Sequence, residues 1–291
     1  MKKRKKKKSI YLIFLFLLTI YLTYNYLDTK TINIEQKELV KYILNKDKTS
    51  YLVNKLSTLF IPKNFLKKTY YTNDKKKKLE KELTITKEPI IYIYNSHQTE
   101  EYMPTSFVEY SVRPTVEMNN YILEEKFEKE GFTTYVEEER IKEILNKNNW
   151  NYAGSYLASR TLLEKRKQEY PSLKYFIDVH RDSLPKSRTT VTINEKDYAT
   201  ILFIVGLENK NYQENLSFTE KINNKLNEKY PNHSKGIYKK EGEGVNGVYN
   251  QDFSPRTILV EMGGPENSIE EVLNTSLAFS DCFLEVIKDE L

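Results

Sequence analysis

Three histidines occur in the 291-residue chain. Two of them close short apolar runs next to acids: Ile90-Ile91-Tyr92-Ile93-Tyr94-Asn95-Ser96-His97, with Glu100 three residues on, and Tyr175-Phe176-Ile177-Asp178-Val179-His180. Two imidazoles and a carboxylate make a plausible His2Glu zinc set that leaves one coordination position open for water. At a spacing of three, His97 and Glu100 face the same way on a helical turn or tight loop, close enough to share an ion. Asp178 and His180 share a strand face, so one can ligate while the other orients the site from behind. A third segment, Thr257-Ile258-Leu259-Val260-Glu261-Met262-Gly263-Gly264, ends apolar strand character in a carboxylate. A strand-end Glu against an apolar wall is a candidate for a raised pKa and general-base work. The paired glycines would let backbone approach a substrate closely. The third histidine, His233, lies in the polar turn Tyr230-Pro231-Asn232-His233-Ser234 and is expected to be exposed and not a ligand.

These residues need a frame that brings strand ends together. From Pro89 onward strands and helices alternate. Strands are expected at 90–95, 132–136, 175–180 and 257–261, and helices at 113–129, 140–168, 215–229 and 268–288. Segments 189–193 and 199–205 read as a hairpin or as adjacent strands, and Gly236, Gly242, Gly244 and Gly247 mark a glycine-rich loop. Such alternation argues for an α/β fold, a single three-layer αβα domain with a mainly parallel, mixed sheet covered on both faces. Ligands of such sheets bind at the carboxyl ends of the strands, where both imidazoles would converge.

The chain before this domain differs in texture. Residues 1–8 hold seven Lys/Arg, while the whole chain carries a formal charge of only +5. The remainder is therefore close to neutral, and a nucleic-acid partner loses its main support. Residues 9–27 contain no charge, enough to span a bilayer, and no small-residue cleavage site follows. We expect a cytoplasmic tail at 1–8 and an uncleaved single-pass signal-anchor at 9–27. A Lys-rich stalk is expected at 28–87, and an extracytoplasmic catalytic domain at 88–291, held at the cell membrane. Cys282 is the only cysteine, which excludes an intramolecular disulfide and multi-cysteine metal sites. Its apolar helical setting predicts a packed core thiol.

Five ordered segments, YIYNSHQTEEY at 92–102, FIDVHRDS at 176–183, VGLENKNYQENLSF at 205–218, SKGIYKK at 234–240 and GVYNQDFSPRTILVEMGGPENSIEEVLNT at 247–275, resemble the stage II sporulation protein P (SpoIIP) family of membrane-anchored cell-wall hydrolases. The resemblance implies a zinc-dependent N-acetylmuramoyl-L-alanine amidase acting on peptidoglycan, associated also with cleavage of peptide cross-links. It implies action during engulfment in sporulation, with a SpoIID-like lytic transglycosylase and a SpoIIM-like membrane protein as partners. It places His97 and His180 as zinc ligands and Glu261 as the catalytic carboxylate. For the third ligand Glu100 fits the spacing, whereas related amidases use a glutamate farther along, for which Glu109 and Glu117 are candidates; Glu100 is preferred because it leaves the same strand as His97. Arg181, Asn250 and Gln251 lie in matching segments and are expected to contact substrate. Two other readings stand beside this one: a carboxypeptidase-like zinc peptidase trimming stem peptides, and a non-catalytic wall-binding scaffold.

Overall fold

The computed structural model describes residues 35–44, 88–102 and 114–291. The expected basic tail, the signal-anchor, most of the stalk, and Glu109 lie outside these residues. Among the described residues no helix is long and apolar enough to cross a membrane.

Helix α1 (Gln36–Leu44) is followed by strand β1 (Ile91–Tyr94), helix α2 (Glu117–Lys129) and strand β2 (Thr134–Val136). Next come α3 (Ile141–Asn148), α4 (Ser155–Glu169), β3 (Tyr175–His180) and the single turn α5 (Lys186–Thr189). Strands β4 (Thr190–Ile193), β5 (Lys196–Ala199) and β6 (Ile201–Gly206) lead to α6 (Tyr212–Lys229). Strand β7 (Ser234–Lys240), β8 (Thr257–Met262) and α7 (Ile269–Lys288) complete the chain. The main sheet has the order β2-β1-β3-β8-β6-β7. Its first four strands are parallel; β6 runs antiparallel to β8, and β7 parallel to β6. This is the expected mainly parallel, mixed sheet.

Both faces are covered, which is why β1 and β3 are buried at every position and read as near-continuous apolar runs. On one face Tyr175 packs against Phe218 of α6 and Phe283 of α7, and Phe283 against Phe127 of α2. On the other, Tyr92, Tyr94 and Phe176 pack against Leu163 of α4 and against Leu173. By the two-residue period of strands, Asp178 and His180 share the second face with Phe176. α1, inside the segment expected to be a stalk, packs on α2. Its Leu39 and Val40 are buried, and Gln36 Oε1 accepts from Thr115 N at 3.0 Å.

Three boundaries differ from the sequence expectation, each for a local reason. The long helical region breaks because Asn149 adopts a left-handed conformation (φ 54°) that caps α3, a position Asn tolerates. The hairpin turns over two residues only, Asn194 and Glu195, both at positive φ, as a type I′ turn requires. It therefore joins β4 to β5 and frees residues 201–206 for the main sheet. Gly236 lies in strand β7 and not in a loop. The β6–β7 register passes from Ile201↔Ser234 to Phe203↔Ile237, so β7 carries one extra residue there, and Gly236 at φ 93° gives the bulge its conformation. Cys282 is buried, as expected.

His233 is the clearest correction. It is fully buried, with Nε2 donating to Ala199 O at 2.9 Å and its ring edge-on to Tyr198 and Tyr230. The polar turn folds inward because the backbone of His233 also carries the entry to β7, its carbonyl accepting from Ile201 N. Burial lowers its pKa to about 4. The unfolded chain therefore binds a proton that the folded protein refuses between pH 6.5 and about 4. Stability from this group is complete above pH 6.5 and lost as pH falls through that window, by up to roughly 3 kcal/mol. Urea midpoints measured from pH 7 to 4 should fall less steeply in His233→Gln than in the unaltered protein.

Candidate metal centre

The centre forms where β1, β3 and β8 end side by side. Strand β1 stops at Tyr94, and Asn95 ties its exit to the neighbouring strand by donating to Val179 O at 2.6 Å. Asn95 and Asn120 of α2 also exchange amide hydrogen bonds. The next residue, Ser96, donates its backbone N–H to Asp178 Oδ1 at 2.9 Å and its hydroxyl to Asp178 Oδ2 at 2.8 Å. Asp178 is fully buried, so its charge has to be met by such partners.

His180 completes that arrangement. Its Nε2 lies 3.0 Å from Asp178 Oδ1 and 2.9 Å from Ser96 Oγ. With the Nε2 side of the ring held by the carboxylate, Nδ1 faces the other way, 3.6 Å from Glu100 Oε2. His97 Nδ1 is 3.7 Å from Glu100 Oε1. One donor atom from each of His97, Glu100 and His180 falls within 4.8 Å of the others. Glu100 is positioned from behind by Arg181, whose backbone N–H donates to Oε2 at 3.0 Å.

The field in this pocket favours a cation. Burial would lower the basicity of His180, but Asp178 and Glu100 together raise its pKa to about 10. Burial would likewise raise Glu100, yet the adjacent His180 and His97 rings and the hydrogen bond from the Arg181 amide hold it at about 2. Two imidazoles, one of them backed by a carboxylate, and one ionised carboxylate are the donor chemistry of a zinc site with an open position. The residues present therefore fit a divalent metal. Asp178 has the orienting role, and His180 offers Nδ1.

Glu261 is the register partner of His180 across the β3–β8 ladder, so the two side chains stand on the same face. Burial, then the charge of Asp182, raise its pKa to about 7, where a carboxyl group can both take and return a proton near neutrality. The glycines after it serve packing. A Cβ on Gly263 would meet Ala199 and Asn267 at 2.8 Å, and one on Gly264 would lie 2.2 Å from Leu184 O.

Other expected site residues are placed differently. Glu117 is buried, pairs with Arg140 and is not in the cluster that His97, Glu100 and His180 form. Asn250 and Gln251 face inward, a correction of their expected contact with substrate. The Asn250 amide donates to Tyr156 O and Ser159 Oγ, each at 2.9 Å. Gln251 bridges β6, donating to Ile204 O and accepting from Gly206 N. The left-handed backbone at Tyr249 and Asn250 turns these amides into the protein. Arg181 stands at the rim, with Nε on Glu101 O and a terminal nitrogen on Asp182 O. Sequence reasoning missed Ser96, Tyr152 and Tyr156. Tyr152 stacks on His97 at 4.9 Å, and Tyr156 lies 5.3 Å from His97 and 6.4 Å from His180. No spacing signal links a tyrosine more than fifty residues away to His97.

With this geometry established, comparison with known proteins gives the lineage. Residues 12–284 match the family described as stage II sporulation protein P (SpoIIP). The chain belongs to that family. It is 35% identical over 207 residues to stage II sporulation protein P of Bacillus subtilis (strain 168), a match covering 69% of this chain and 51% of that protein. The chain thus spans about half the length of the curated relative. Among solved structures it is similar to the N-acetylmuramoyl-L-alanine amidase AmiC2 of Nostoc punctiforme (TM-score 0.40, 10% identity, 68% of this chain and 97% of that one). It is also similar to the CwlD amidase from Clostridioides difficile, solved in complex with the GerS lipoprotein (TM-score 0.43, 12% identity, 68% and 96%).

If Asp178 holds the His180 tautomer, Asp178→Asn should weaken divalent-metal binding by about 10–100-fold. Zinc titration calorimetry measures this, with an unchanged circular dichroism spectrum showing that the fold survives.

Proposed function

We propose that the chain is a zinc-dependent peptidoglycan hydrolase that cleaves the amide between N-acetylmuramic acid and L-alanine, remodelling the wall during engulfment in sporulation. The observation carrying this reading is the convergence of His97, Glu100 and His180 within 4.8 Å, backed by Asp178 and flanked by Glu261. Membership of the SpoIIP family supplies the wall and sporulation context. On this reading an N-terminal signal-anchor holds the domain outside the membrane, beside a SpoIID-like transglycosylase and a SpoIIM-like membrane protein.

His97, Glu100 and His180 would hold zinc, which when bound supplies a Lewis acid for the scissile carbonyl and acidifies a water. Asp178 and Ser96 keep the Nε2 proton of His180 in place, so that Nδ1 stays available as a donor. Glu261 accepts the proton of the attacking water on its carboxylate and returns it to the leaving amine nitrogen. Its pKa of about 7 makes both transfers feasible near neutral pH. The stacked Tyr152 and the edge of Tyr156 fix the His97 ring and keep water from its face.

Incubation with isolated peptidoglycan and mass spectrometry of the products tests the reading. The unaltered protein should release intact stems with a free N-terminal alanine. Glu261→Gln should lose about 10²–10⁴-fold in rate while retaining one zinc per chain. Full activity in Glu261→Gln would remove its role, trimmed stems would select the carboxypeptidase-like reading, and wall binding by a metal-free protein without cleavage would select a scaffold.

A further inference from the structure

A groove of about 600 Å³ opens from His97 toward α3, and Trp150 and Tyr152 are among the residues that line it. Tyr152 opens the 3-10 turn Tyr152–Gly154, whose N-cap Asn151 accepts a hydrogen bond from Ala153 N at 3.1 Å through its side-chain oxygen. One face of its ring lies on His97, yet the side chain is 58% exposed. Trp150 is half-buried against Ile141 and Leu145. A Cβ on Gly154 would approach its Cβ to 3.1 Å, so the absence of a side chain there lets the indole lie close to the turn. Two aromatic residues thus line the groove, one of them stacked on a candidate metal ligand and otherwise exposed.

The charge of the groove decides what it can take. Glu101, Glu117 and Glu143 line it against Arg140 and Lys142, and Arg140 is already paired with the buried Glu117. The balance is slightly negative, which disfavours an anionic peptide and is indifferent to a neutral ligand. The opposite side of the centre presents a lysine. Past β8 and β6, on the same sheet face, Lys240 lies over the ring of Tyr249, Tyr249 meets Tyr156, and Tyr156 stacks on His180. Lys235 reaches the centre's Asp182 at 2.9 Å, and Tyr238 between them is 58% exposed.

We infer that the groove beside His97 is a glycan subsite: neutral N-acetylated pyranose rings stack on Tyr152 with Trp150 as the wall, and the anionic stem peptide runs the opposite way, across β6 toward Lys240. The inference rests on the peptidoglycan reading above. It assigns the two halves of the substrate to the two sides of the scissile amide. An aromatic face is suited to the apolar C–H face of a sugar ring, and burying that face gives the ring a partner it otherwise lacks.

Trp150 is the only tryptophan in the chain, so its fluorescence reports on the groove alone. The full chain in detergent micelles, carrying Glu261→Gln, is titrated with tetra-N-acetylchitotetraose and separately with a free, carboxylate-bearing stem tetrapeptide. The sugar should change the emission saturably and the peptide should not. Tyr152→Ala should weaken the sugar response about tenfold, and Tyr152→Phe should restore it. A response to the peptide in place of the sugar, no response to the sugar, or an unchanged sugar affinity in Tyr152→Ala would each overturn the subsite. Stem release by the unaltered protein is scored separately. Cleavage without a sugar response removes the subsite and leaves the hydrolase; sugar binding without cleavage does the reverse.

Discussion

The buried carboxylate of Asp178 is the constraint on which the centre depends. It lies on β3 with no solvent exposure, and a bare charge there would cost several kcal/mol. Its oxygens take the Ser96 amide, the Ser96 hydroxyl and His180 Nε2. Meeting that charge therefore pins the exit of β1 to β3 and sets the orientation of the imidazole. The same contacts turn the chain so that Glu100 comes under the Arg181 amide and opposite both histidines.

The sheet provides the rest by adjacency. β1, β3 and β8 are neighbours in parallel register, so their carboxyl ends fall at one edge and the side chains of His180 and Glu261 stand next to one another. Helix α4 covers the sheet face below them through Leu163 and places Tyr156 from its first turn against both histidines. The mutually parallel strands β6 and β7, antiparallel to β8, extend the face beyond Glu261, where β7 carries Tyr238 and Lys240. The centre thus has unlike flanks, aromatic and slightly negative toward α3, and toward β7 marked by the exposed Tyr238 and by Lys240.

Much of this was legible in the chain. The alternation of apolar runs with amphipathic stretches marked the α/β class, and β3 was read with its observed ends. His97, Glu100 and His180 were proposed from type and spacing, and the structure brings the three together. Misreadings arose where a residue's surroundings come from distant segments. His233 sits in a polar pentapeptide, but β5, α6 and α7 close over it. Asn250 and Gln251 were expected at the substrate from their place in family-matching segments, but a left-handed turn directs them to α4 and β6.

The sequence by itself determined the chemistry on offer, because only a few residues of ligand type end apolar strands here, and strand ends are where a parallel sheet presents them. It also determined the layer architecture, since near-continuous apolar strands demand cover on both faces. The tertiary structure decided which of the carboxylates sees the histidines, which nitrogen of His180 is free, and which aromatic rings border the site. Those are matters of a few ångströms between segments dozens of residues apart, and local pattern carries no information about them.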